Sequence, residues 1–344
     1  MGSVKDLEIL KKPEGDSLGI GRFKFSDDYS VFDWGKMPNP IEDKGASLCI
    51  TGGYCFERAE DKGINTHYRG LVNKDGNVVY TDELEEPTNV MEVYLVRVFP
   101  PEFKDGKYDY ASRQAINNLL IPLEIIYRNY LPKGSSVFRR LERGDISYKD
   151  LGLDHYPEQG EKLNKPFLDV STKLEETDRY INWEEAQKLA GLTDEETDEI
   201  KETLLKTNNL ITKIAGKAGL VNEDGKIELA YNTDRELMLV DVLGTLDECR
   251  FTYKGIPVSK EIAREYYRNT SWANDVENAK KIAKEKGIKD WRKICRSEPP
   301  QLDVDLNRIV SNMYTSTANE FLGRKVFDTL ELKEVIGDYL DWRV

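Results

Sequence analysis

The sequence predicts an α+β fold with an antiparallel, strand-rich N-terminal lobe, a middle region of mixed character and a helical C-terminal extension. Short β-prone runs broken by Gly, Pro and Asp fill residues 19–97, strict alternation marks a hairpin near residue 230, and helical periodicity governs the chain beyond Tyr253. In order, GRFKF, SVFDW, VVY and MEVYLVRVF are the expected strands of the first lobe, taken as residues 1–119. A polar insertion at 101–118 precedes the strong strand Leu120–Arg128, which opens a second region at 120–268. Trp183–Ala218 reads as helical, because Thr193 and Glu196 form a capping box ahead of the periodic Ile200, Leu204, Leu205, Leu210 and Ile211. The hairpin follows, and then helices over Ser259–Tyr267, Ala273–Lys286, Leu302–Phe321 and Leu330–Tyr339, the last three in an extension at 269–344. Neither an internal repeat nor a low-complexity tract is present.

Composition narrows the chemistry. A chain of 344 residues can bury a sizeable core, as two lobes or as one domain with appendages. With 50 Lys+Arg against 63 Asp+Glu the net charge is -13, so the overall field repels nucleic acid and anionic membrane. A phosphate-bearing substrate would need a local basic pocket. No apolar run reaches spanning length, and Met1–Lys12 lacks the apolar centre of a signal peptide, so a soluble, cytoplasmic protein is expected. Cys49, Cys55, Cys249 and Cys295 lack the spacing of a disulfide framework or zinc site. His67 and His155 are the only imidazoles, which leaves histidine-dependent catalysis few candidates.

Asp224–Arg250 is the most informative stretch. Ile227, Leu229 and Tyr231 alternate with Glu228, Ala230 and Asn232, and Leu237–Val242 forms a second run across the break Thr233–Glu236. With that break as the turn, Glu228 lies opposite Asp241, their side chains about 5 Å apart on one face. Like charges so placed repel unless a cation sits between them, and two hard oxygen ligands suit Mg²⁺ on a nucleotide phosphate. The same pair also reads as a solvated charge pair at a strand end.

Three further segments could carry chemistry. In Arg128–Arg140 a strand ends in a Gly-Ser turn, and backbone N–H groups at Gly134, the Ser135 and Ser136 hydroxyls and nearby guanidinium groups could hold a phosphate monoester; the plain reading is a loop before a basic helix. Ser171–Asp178 is dense in polar groups after the apolar Phe167–Val170; the plain reading is a helix start with Ser171 or Thr172 as its cap. Ser26–Gly45 is a long loop leaving a strand, or only a connector.

These segments stand in an order that resembles the SAICAR synthetase family in its long archaeal form. SDDYSVFDWGKMPNPIEDKGASL is similar to the family segment SDRxSAFDxxxxxxIPGKGxxL, and IPLEIIYRNYLPKGSSVFRRL to PLEVVVRNxxAGSLVKRL. STKLEETD resembles STKAEQGEHD, the hairpin resembles KLEFG and LADEVLTPDSSRFW, and VSKEIAREYYR resembles DKQxxRDxL. The likeness spans roughly residues 19–268. It implies a fold related to the ATP-grasp and kinase-like architectures, with an antiparallel lobe over a larger mixed lobe and ATP in the cleft. It implies a ligase that phosphorylates the carboxylate of carboxyaminoimidazole ribonucleotide with ATP and lets the amine of L-aspartate displace phosphate. By matching positions it implies substrate contacts from Ser30, Asp33, Lys44, Gly45, Arg128, Gly134, Ser135, Lys260 and Arg264. ATP would meet Glu124, Lys226, Glu228 and Asp241, the last two also holding Mg²⁺, and Lys173, Asp178 and Arg250 would serve catalysis.

The chain departs from that pattern at Thr177, Val242 and Leu246, where the family has histidine, an acidic residue and proline. The glycine-lysine signature that opens most members is not evident, VKDLEIL and GIGRF being the nearest segments. Two alternatives therefore stand beside the first: a carboxylate–amine ligase with another substrate pair, and a non-catalytic nucleotide-binding protein. Small molecules are the expected partners, and the apolar faces of the C-terminal helices could pack on a second subunit.

Overall fold

The computed structural model describes residues 4–110 and 116–343 and shows a mixed α/β chain built on two antiparallel sheets. The first contains β1 (Lys5–Lys11), β2 (Gly19–Phe25), β3 (Tyr68–Val72), β4 (Val78–Val79) and β5 (Val90–Leu95), in the order β1-β2-β5-β3-β4. Alternating burial along β2 shows one face turned to the core. Two details differ from the sequence expectation. SVFDW is a loop, because Phe32 and Asp33 adopt φ values of 56° and 62°, which no strand accommodates. The stretch also contains a helix, α1 (Lys44–Glu60), whose glycines mask its pattern. Gly45 is needed there because a Cβ would stand 2.8 Å from the Phe25 carbonyl oxygen.

The polar insertion forms a small hairpin, β6 (Glu102–Lys104) with β7 (Lys107–Asp109); its residues 111–115 lie outside the described residues. The second sheet takes β8 (Leu119–Leu131), β9 (Glu161–Thr172), β10 (Tyr180–Ile181), β11 (Val221–Tyr231), β12 (Leu237–Val240), β13 (Cys249–Tyr253) and β14 (Ile256–Pro257). Its order is β10-β9-β8-β11-β13-β14, with β12 pairing β11. Helix α2 (Ser136–Arg143) follows β8, while α3 (Trp183–Ala190) and α4 (Asp194–Lys217) fill the expected helical region, with the Thr193–Glu196 capping box in place. The chain ends in α5 (Glu261–Arg268), α6 (Ser271–Lys286), α7 (Val304–Leu322) and α8 (Leu332–Arg343). One apolar cluster unites residues of both sheets with the C-terminal helices.

The hairpin register is corrected by one residue. Tyr231 pairs with Leu237 and Glu228 with Val240, not with Asp241. Asn232 leaves the ladder to build the turn: its side-chain oxygen accepts from the Asp234 and Glu236 N–H groups at 2.9 and 2.8 Å. The turn is thus one residue longer at its start than the sequence suggests. Asp241 falls just past β12 with φ 69°, and this left-handed residue returns its carboxylate to the neighbourhood of Glu228.

Candidate active site

Side chains of a strand alternate between faces, so β8, β9 and β11 together project Glu124, Arg128, Asp169, Ser171, Asp224, Lys226 and Glu228 from one face. The three strands pair in a register that sets Glu124 beside both Glu228 and Ser171. Cations bridge the carboxylates along this face. Lys173, just past β9, lies 2.5 Å from Glu228 and 3.7 Å from Glu124, and Lys226 lies 2.9 Å from Glu124 and 3.3 Å from Glu248. Lys5 of β1 reaches across from the other sheet to pair with Asp241. Burial and the Asp241 charge push the Glu228 carboxyl up, only partly opposed by Lys173. For Asp241 burial acts upward as well, but Lys5, joined by Lys173 and His67, offsets it and the carboxyl is held low. Burial keeps the His67 ring, 3.3 Å from the Asp241 carbonyl oxygen, neutral with its pKa lowered to about 4.

Beyond the carboxylates, the same face turns apolar. Ala230, Met238 and Val240 are buried against Leu18, Val96 and Leu120, forming a dry patch where both sheets meet. Sequence reasoning missed this patch, and alternation alone could have extended the Glu228 face to Ala230.

In the other direction the face becomes the floor of a cleft of about 640 Å³. Lys133 ahead of α2, Arg139, Lys260, Arg264, Arg268 and Lys280 bring positive charge to its walls, which Gly134 also lines. Gly134 takes φ +80°, and Ser135 caps α2 by accepting from the Val137 N–H. Arg250 grips Asp224 in a two-pronged pair at 2.8 and 2.7 Å. Arg128 is buried, its guanidinium shared among Asp169, Asp224, Ser135, Ser136 and Tyr180, so it holds the floor together rather than offering donors to a ligand.

The remaining expected residues divide in two. Asp33 and Glu124 line this cleft, while Asp178 is held close to Glu124, Lys226 and Lys173, with its carboxyl raised first by burial and then by Glu124. Ser30, Lys44 and Gly45 stand behind it. The Ser30 hydroxyl accepts from the Gly35 N–H at 3.2 Å, and the Gly45 N–H donates to Asp27 at 2.8 Å. Lys44 is fully buried 2.9 Å from Asp247, whose other carboxylate oxygen accepts from the Tyr314 hydroxyl of α7 at 2.7 Å. Lys260 completes the group, 3.8 Å from Asp247, and burial pushes its ammonium pKa down. Tyr314 and Lys280 come from helices whose sequence carries no signature, and only the folded chain reveals them.

An apolar patch, a carboxylate pair beside two lysines and a basic cleft thus succeed one another along one sheet face. Residues 15–285 match the family model described as SAICAR synthetase. The chain is 49% identical over 337 residues to the putative phosphoribosylaminoimidazole-succinocarboxamide synthase of Archaeoglobus fulgidus, covering 98% of each chain. It is 34% identical over 331 residues to the Thermoplasma acidophilum phosphoribosylaminoimidazole-succinocarboxamide synthase, covering 94% of this chain and 98% of the other. Among solved structures, the Saccharomyces cerevisiae SAICAR synthase complexed with SAICAR superposes with a TM-score of 0.60 at 19% identity, covering 94% of each chain. A type-2 SAICAR synthetase in complex with ADP gives 0.55 at 20% identity, covering 88% of this chain and 99% of that one. The structural likeness speaks to the fold.

Proposed function

The chain belongs to the SAICAR synthetase family, whose ATP-dependent ligases join L-aspartate to carboxyaminoimidazole ribonucleotide in purine biosynthesis, and we propose how its own residues divide that task. The carrying observation is the order of surfaces along one sheet face: apolar patch, carboxylate pair, basic cleft. The adenine ring of ATP lies on Ala230, Met238 and Val240, between the sheets, in an arrangement of the ATP-grasp and kinase kind. Its phosphates then extend over Glu228 and Asp241, where Lys5 takes the part of the absent glycine-lysine signature. Glu228 and Asp241 would hold the Mg²⁺ that accompanies the nucleotide. No cluster of three or more His, Cys, Asp or Glu occurs among the described residues, and two carboxylates fit an ion that keeps several waters and takes phosphate oxygens. When bound, it neutralises charge on the nucleotide phosphates.

The ribonucleotide occupies the basic cleft, its phosphate at Lys133, Gly134, Arg268 and the α2 N-terminus, its carboxylate toward Lys226 and the ATP. Oxygen of that carboxylate attacks the γ-phosphorus, ADP leaves, and the acyl phosphate formed is opened by the aspartate amine with loss of phosphate. Lys226 steers the first anion, and Asp178, beside Lys173, receives the ammonium of aspartate. The test is an assay of purified protein with Mg·ATP, carboxyaminoimidazole ribonucleotide and aspartate, read as ADP release and as the absorbance of the succinocarboxamide. ADP formation dependent on all three substrates supports this division. Turnover with another amine in place of aspartate would overturn the acceptor assignment.

A further inference from the structure

Asp33 stands at the cleft mouth, 87% exposed, at the tip of the loop between β2 and α1. It follows Phe32, and both carry left-handed backbone, a strained pair for non-glycine residues. What holds the tip comes from the C-terminal part of the chain. Trp272 of α6 stacks on Phe32 at 5.6 Å and meets Trp34 edge-on at 5.5 Å, and Arg292 donates to the Trp34 carbonyl oxygen at 3.4 Å. Lys280, two turns along α6 from Trp272, places its ammonium 2.7 Å from Asp33 Oδ2 and 4.9 Å from the Trp291 ring centre. Both Lys280 and Asp33 line the cleft.

We infer that Lys280 is a specificity-determining residue of the ribonucleotide site, neutralising Asp33 so that an anionic ligand bearing both phosphate and carboxylate can enter past it. The inference rests on the reading of the cleft as the ribonucleotide site. An exposed carboxylate at the entrance repels a ligand carrying both phosphate and carboxylate, and the ammonium beside it cancels that field. Asp33 keeps one oxygen to accept from a neutral donor such as a ribose hydroxyl. The lysine matters because the aspartate is there, which separates this role from a plain scaffold.

That dependence is testable with Lys280→Met, Lys280→Arg, Asp33→Asn and the double variant, measuring kcat and KM for each substrate at low and high salt. Lys280→Met raises the ribonucleotide KM about fivefold at low salt, with less effect at high salt, and leaves KM for ATP and kcat unchanged. Lys280→Arg stays close to the parent protein. The Asp33→Asn/Lys280→Met double binds the ribonucleotide better than Lys280→Met alone, since the uncompensated charge is gone. A double variant no better than Lys280→Met, or a parallel rise in all three KM values, overturns the inference. Lys133→Ala and Arg268→Ala separate the two layers: if they fail to move the ribonucleotide KM, the cleft assignment itself is wrong, and if they move it while Lys280→Met does not, only the present inference fails.

Discussion

The Lys173 ammonium lies 2.5 Å from Glu228 Oε1, in a place where a buried carboxylate already faces the charge of Asp241. Protein cations, Lys173 and Lys5, therefore each pair with one member of the carboxylate pair. Because the native state raises the Glu228 pKa, it binds a proton more tightly than the unfolded chain, and stability declines as pH rises from the ordinary carboxylate range through the raised value. Glu228→Gln is expected to abolish that decline and to melt higher than the parent protein at pH 8. Turnover should fall by at least about 100-fold, with added Mg²⁺ giving no rescue. Thermal melts across pH and a Mg²⁺ titration of the rate check both halves.

Lys5 belongs to a strand whose remaining residues are exposed, yet it pairs with Asp241 on the far sheet. Lys5→Met is expected to raise KM for ATP about tenfold or more, the loss of one charge-assisted hydrogen bond, with the ribonucleotide KM unchanged. A selective rise for the ribonucleotide would place the nucleotide elsewhere.

Arg128 is predicted to act on stability before affinity. Removing it leaves the buried Asp169 and Asp224 with Arg140 and Arg250 as their remaining cationic partners among the described residues, at 2.6 and 2.7 Å. Arg128→Met should destabilise by about 3 kcal/mol in urea unfolding. An unchanged midpoint would show that those outer arginines suffice.

His67 gives the protein an acid limit. The unfolded ring protonates near 6.5, whereas the buried ring resists to about 4, so stability is complete above 6.5 and is lost as pH falls through that window. The loss amounts to about 3 kcal/mol, at roughly 1.4 kcal/mol per unit. His67→Gln should flatten the stability profile between pH 6.5 and 4, and an unaltered profile would contradict the assignment.

Sequence patterns disclosed what local rules control. The Thr193–Glu196 box, the four C-terminal helices and the strand leading to Arg128 all rest on periodicity or capping within one segment. The register of the hairpin did not emerge, because one Asn side chain decided whether Asn232 paired or turned. Helix α1 was hidden by Gly52 and Gly53, which lower helical propensity but let α1 lie close to the Leu71 and Val242 side chains. At the candidate site, motif order singled out Glu228, Asp241, Lys226 and Arg250, but it gave no sign of Tyr314 and Lys280. Their meaning comes from partners 67 and 247 positions away in the chain.

The loop before α1 is fastened along its length by late residues: the Leu302 N–H donates to Asn39, Asn307 to the Pro40 carbonyl and Ser311 to that of Glu42. On the ribosome this loop emerges long before the helices that secure it, so the N-terminal sheet can form early while the cleft cannot. Until α6 is released the tip at Asp33 lacks Lys280, and until α7 follows it Lys44 and Asp247 lack Tyr314. Competence thus waits on α6 and α7, and a nascent chain bearing only the first 250 residues would carry most of the matching motifs without the late contacts that fasten them.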